Sequence, residues 1–144
     1  MITAGMCTSF KKGLLEGKFN FGVGTSDVFN IALFTSAANL NPYTTTSYTP
    51  AGESSGAGYT AGGQALQISL NPTTYNQVAY LSFSNVTWTA TTLVARGALI
   101  YKADGLTNPA IAIIEFGEDK QTNSGDFIID FPLADATYAI IKIG

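Results

Sequence analysis

The stretch Ala110-Ile111-Ala112-Ile113-Ile114-Glu115-Phe116 is apolar almost without interruption. A run of that kind is a strand covered on both faces, which places it near the centre of a sheet. Towards the C-terminus, Phe127, Ile129 and Phe131 alternate with Asp126 and Asp130, giving a strand with one wet face that stops at Pro132. A last strand, Tyr138 to Ile143, needs a pairing partner to stay ordered. Towards the N-terminus, strands are predicted at Leu93 to Tyr101, at Val86 to Thr89 with the only Trp, and at Val78 to Phe83 with Ala79, Leu81 and Phe83 on one side. Further out lie Gln64 to Leu70, with Leu66, Ile68 and Leu70 inward and Asn71-Pro72 as its terminator, and Val28 to Phe34, with Phe29, Ile31 and Leu33 on one face.

Ahead of these strands, Thr8 to Phe21 is the one helical candidate. Phe10, Leu14, Leu15 and Phe19 fall roughly on one face, with Lys11, Lys12, Glu16 and Lys18 on the others. Gly13 and Gly17 each cost about 1 kcal/mol against Ala in a helix, so the segment needs a surface to pack on. That surface is either its own domain or, if the segment is an arm, a neighbouring molecule. The Pro-, Thr- and Gly-rich stretch from Asn39 to Gly63 reads as a long loop with one short strand around Tyr43 to Tyr48. Seven to nine short strands in 144 residues predict a single all-β domain, an antiparallel β-sandwich or jelly-roll-like barrel with a short N-terminal helix or arm. Residues 1–22 form the helix or arm, and residues 23–144 the β-sandwich.

Composition narrows the chemistry. The chain has no histidine and one cysteine, Cys7, so a Ser-His-Asp or Cys-His arrangement, a zinc site of the usual ligands and an internal disulfide are excluded. A formal charge of -3 with seven scattered basic residues argues against a nucleic-acid partner. Without a run of 18 apolar residues or an apolar leader core, neither a membrane partner nor export is expected.

Gly56-Ala57-Gly58-Tyr59-Thr60-Ala61 fits a dinucleotide fingerprint in form but lacks the strand and helix that give it function, so no cofactor is expected. Gly13 to Lys18 superficially resembles a phosphate loop, but Phe19 stands where a hydroxyl must meet magnesium and the glycine spacing is short. Glu115, Glu118, Asp119 and Asp126 are near enough in sequence to suggest a glycosidase pair or a calcium loop. Their placement around Glu118 to Gly125 reads better as the solvated tip of a hairpin, so no enzymatic activity is expected.

Two features point outward. Tyr43, Tyr48, Tyr59, Tyr75 and Tyr80, set among Thr and Ser, are candidates for a sugar- or receptor-binding surface. Charge is scarce: 12% of residues are charged, and neither Val28 to Gly52 nor Val78 to Leu93 contains any. Soluble β-proteins commonly guard their sheet edges with charge, so its shortage predicts a surface covered by other subunits.

The order of segments resembles small virion proteins of tailed bacteriophages over most of the chain. The likeness rests on Phe10-Lys11-Lys12-Gly13-Leu14-Leu15, Ile31-Ala32-Leu33-Phe34-Thr35-Ser36 and Gly52-Glu53 through Gly58-Tyr59-Thr60-Ala61-Gly62-Gly63, and on three later segments. These are Val86-Thr87-Trp88-Thr89, Ala95-Arg96-Gly97-Ala98-Leu99-Ile100-Tyr101 and Ile114-Glu115-Phe116-Gly117. The resemblance implies a structural virion component made in the bacterial host cytoplasm. A capsid decoration, or cement, protein on the outer capsid surface is the favoured role, with the major capsid protein and further copies of itself, as a trimer, for partners. Phe10, Leu14, Leu15 and Phe19, with parts of Asn39 to Gly63, are then the expected contacts. The rival role is a tail or fibre component that recognises a host receptor or glycan through Tyr43, Tyr48 and Tyr59.

Overall fold

A computed structural model describes residues 1–144 and contains antiparallel sheets with one short helix. The apolar run that begins at Ala110 opens the longest strand, β8 (Ala110–Gln121), and is flanked on both sides. Ile113 pairs with Leu99 of β7 (Val94–Lys102) on one side and with Gly5 of β1 (Gly5–Met6) on the other. With β2 (Phe29–Phe34) and β3 (Gln64–Ala65), these strands form a five-stranded sheet in the order β1-β8-β7-β2-β3. A second sheet has the order β10-β5-β4, from β4 (Ile68–Tyr75), β5 (Val78–Phe83) and β10 (Ile141–Ile143). The remaining strands, β6 (Val86–Thr91) and β9 (Gly125–Ile129), pair with each other.

That last pair is not a separate hairpin. Thr91 faces Gly125 and Val94 faces Gln121, so residues 86–102 and 110–129 form one long antiparallel ribbon whose tip is the loop 103–109. The ribbon is kinked where Ala95 faces Lys120 but Gly97 faces Glu115, five steps along β8 against two along β7. Gly117, with φ of 83°, takes the left-handed conformation inside this bulge. Beyond the kink, Phe116 of β8 meets Phe127 of β9 at 6.0 Å between ring centroids. One continuous core joins all three sheets, and Phe10, Ile31, Leu33, Leu99, Ile100 and Ile111 are wholly enclosed in it.

The helix α1 spans Thr8–Leu15 rather than Thr8 to Phe21. Glu16 is its C-cap and Gly17, with φ of 71°, turns the chain out. The other glycine serves packing: a Cβ on Gly13 would lie 2.5 Å from the Phe19 ring, which folds back over the helix. Residues 1–22 are not an arm. The Met1 ammonium donates to Ala38, the Thr3 amide to Leu40 and the Cys7 amide to Ile111, and β1 is a strand of the main sheet. The division at residue 22 therefore crosses a shared core.

Three other expectations need correction. Asn71-Pro72 does not end a strand, because β4 runs through it to Tyr75 as a sheet edge with two register shifts. A proline lacks only the amide that an edge strand leaves unpaired anyway. The strand around Tyr43 to Tyr48 reduces to a single bridge between Ser47 and Pro109. Glu118 to Gly125 is the middle of the β8–β9 course and not a hairpin tip.

Candidate functional site

The loop 39–63 is the most chemically distinctive part of the fold, because two of its tyrosines and a backbone amide converge on Glu53. That carboxylate accepts the Tyr48 hydroxyl at 2.6 Å, the Tyr59 hydroxyl at 2.7 Å and the Gly62 amide at 2.7 Å. Tyr59 also accepts the Leu33 amide at 2.9 Å, which fastens the loop to β2. The Tyr48 ring stacks on Tyr101 of β7 at 4.7 Å and 14°, and the Tyr101 hydroxyl donates to the Gly62 carbonyl at 2.6 Å. Burial first, and the Glu53 carboxylate second, push the Tyr48 and Tyr59 hydroxyls far above the usual phenol range. They are permanent donors at neutral pH. Chemically the group is a clamp: three rings and one anion hold a long loop against the sheet.

The sequence-derived contact residues are therefore divided. Phe10 is fully buried and packs edge-on against Phe19 at 4.9 Å, so both rings serve the chain's own core. Tyr48 and Tyr59 are held in the clamp. Leu14 is half-buried against the core, whereas Leu15 is 92% and Tyr43 82% exposed. These last two flank α1. Its first amide, Thr8, donates to Pro42 beside Tyr43, and Leu15 ends it, about 10 Å further along by the rise of an α-helix.

Glu53 and Tyr101 were missed by the sequence reading, although a cue was present. Between Val28 and Ala95, Glu53 is the only charged residue, and it lies between two tyrosines. With its carboxylate turned onto those tyrosines, the outer surfaces of β2 to β6 carry no charged side chain at all. The five residues from Asn71 to Tyr75 on the β4 edge are all exposed and uncharged.

The acidic residues near the bulge are all partnered, two of them by the same arginine. Arg96 Nε meets Glu115 at 2.7 Å and its Nη1 meets Asp119 at 3.8 Å, Lys120 meets Glu118 at 2.6 Å, and Asp126 accepts the Ala90 amide at 3.2 Å. No three metal-binding side chains converge anywhere. The glycine-rich loop has a structural use as well: a Cβ on Gly56 would lie 2.0 Å from the Thr92 carbonyl oxygen, and Ala57 bridges to Thr92. No helix is long and apolar enough to cross a membrane. Comparison of the chain with family models, with curated proteins and with solved structures gives no match.

Proposed function

We propose that the protein is a structural component of a tailed-phage virion, a capsid decoration protein that binds the outer shell between capsomers and stabilises it. Its partners in this reading are the major capsid protein and other copies of itself, arranged as a trimer. The observation that carries the proposal is the charge distribution: a continuous half of the chain, Val28 to Ala95, turns its only ion inward. Covering such a surface desolvates hydroxyls and amides that can be re-paired, not ions that must be matched. Charge depletion is also what distinguishes the centre of a protein–protein interface from ordinary surface.

Tyr43 is the contact this reading retains within the uncharged half, and Leu15, with Leu14, extends it onto the neighbouring helix, where Lys11, Lys12 and Glu16 stand beside them; Phe10, Phe19, Tyr48 and Tyr59 act indirectly by holding that surface in shape. The test is occupancy of emptied capsids by the purified protein. Saturable binding that Leu15→Glu and Tyr43→Ala weaken supports the proposal, and no binding by the folded protein refutes it.

A tail or fibre role is the second reading, favoured by Tyr43 and Tyr75, which are exposed at 82% and 65% among threonines and asparagines. Copy number separates the two. Quantitative mass spectrometry of purified particles gives many copies for a shell protein and few for a tail part.

A further inference from the structure

The outer edge of β9 is open. This strand pairs with β6 alone, and no strand lies on its other side. The Phe131 amide donates to Asn85 Oδ1 at 2.8 Å on the β6 side, and the Gly125 carbonyl accepts the Thr91 hydroxyl at 2.7 Å on that same side. Backbone groups alternate direction along a strand, so the amides and carbonyls of Asp126, Ile128 and Asp130 point away from β6. Along this edge runs a groove of about 490 Å³, with Ile114, Phe116, Phe127 and Ile140 in its lining and two acids, Asp126 and Asp130, beside one base, Lys120, which is paired with Glu118. Asp126, Ile128 and Asp130 are exposed, Asp126 and Ile128 on one face of β9 and Asp130 just past its end, and the Asp126 carboxylate, which accepts the Ala90 amide through Oδ1, has its other oxygen unengaged.

We propose that this edge is a docking site for an extended segment of another polypeptide, which adds as a further strand beside β9 with basic residues opposite Asp126 and Asp130 and an apolar residue opposite Ile128. Two independent features select that occupant. Unpaired backbone groups beside this groove fit a strand, whose main chain supplies the hydrogen bonds while alternate side chains fill the groove. The acid–apolar–acid spacing of the exposed face selects basic–apolar–basic on the incoming strand, because directly opposed side chains interact most strongly. This chain contains no segment with Lys or Arg at both ends of such a five-residue pattern, so the occupant is a different protein.

The test uses the full chain labelled with ¹⁵N and a synthetic peptide centred on Lys-Val-Val-Val-Lys, whose second and fourth side chains face the groove. Expected are amide shifts confined to residues 114–116 and 126–132, and slowed hydrogen exchange at Ile128 and Asp130 on peptide addition. Replacing both lysines with glutamates should weaken binding at least about threefold, in keeping with two opposed charge pairs. N-methylation of the peptide amides that face β9 should abolish it. The proposal is overturned if no shifts appear up to about 1 mM peptide, the weak limit of useful affinity. Equal binding of the N-methylated peptide, or shifts centred elsewhere, would overturn it too.

Discussion

Tyr59 and Glu53, six residues apart in one loop, meet hydroxyl to carboxylate at 2.7 Å, and through the Leu33 amide the pair fixes that loop to the central sheet. Tyr59→Phe removes a donor to an anion and the acceptor of a backbone amide. It should cost about 1–3 kcal/mol, and Glu53→Ala more, because three donors then lose their acceptor. Urea unfolding followed by the emission of Trp88, which lies 5.9 Å from the Tyr59 ring, measures both. A midpoint unchanged in either variant would remove the clamp from the account of stability.

Gly63 makes the close approach that lets this loop enter β3. A Cβ there would stand 1.8 Å from the Ile31 carbonyl oxygen, with φ at 78°. Gly24 has a similar φ of 76° but nothing near it. Gly24→Ala should therefore cost only the left-handed strain, about 1–2 kcal/mol. Gly63→Ala must also displace backbone, and it should fail to accumulate as folded protein. Soluble yield and thermal midpoints of the two variants decide between strain alone and steric exclusion.

Phe10 and Leu15 lie on the same helix but should behave oppositely. Phe10→Ala empties a fully enclosed site and should destabilise by about 3–5 kcal/mol. Leu15→Ala, at an exposed position, should stay within about 0.5 kcal/mol of the parent. Chemical denaturation checks the contrast, and equal effects would mean that the helix is not seated as described.

Acid should weaken the fold through carboxyls that the folded chain holds low, Glu115 and Asp104 among them. The Arg96 guanidinium, and after it the Gly117 amide, hold Glu115 below the usual range. The Asn108 and Leu106 amides do the same for Asp104 at the ribbon's tip. A carboxyl whose folded pKa is depressed contributes stability above its unfolded value, about 4, and loses it as pH falls through the lower folded value. Melting temperature should thus be flat from neutrality to about pH 5 and fall below about pH 4, and Asp104→Asn should reduce the fall. Melting curves across that range provide the measurement.

Cys7 offers a probe of opening. Burial pushes its thiol up to about 11, and the side chain is fully enclosed. Because the thiolate is the reactive form, a disulfide reagent at neutral pH should modify the native protein at least about a hundredfold more slowly than the unfolded chain. Comparable rates would show that the N-terminal segment opens readily.

How much of this was legible beforehand follows from which forces act locally. The limits of Val78 to Phe83 are legible in the sequence, but its facing is not: Ala79, expected inside with Leu81 and Phe83, is exposed, and Ser82 on the other side is buried, because the first half of β5 lies at the open end of its sheet and the second half runs into the core. The continuous apolar run from Ala110 revealed a strand with neighbours on both sides, which it has in β1 and β7. The course of β4 through Pro72 was not legible, because a proline is tolerated only when the strand happens to be an edge, and edges are set by topology. The same holds for Tyr48 and Tyr59. Their spacing is that of any tyrosine-rich loop, and only the fold shows that Glu53 faces inward between them. Phe10 was correctly placed on an apolar face, but sequence cannot say whether such a face meets its own domain or another molecule.

The kinked ribbon has a consequence for how the molecule comes apart. Because residues 86–102 and 110–129 run through both the main sheet and the flanking pair, the same two chain segments carry force from one region into the other. A pull on the flanking pair is therefore passed along the backbone into β7 and β8 at the centre of the main sheet, without relying on side-chain contacts between the two.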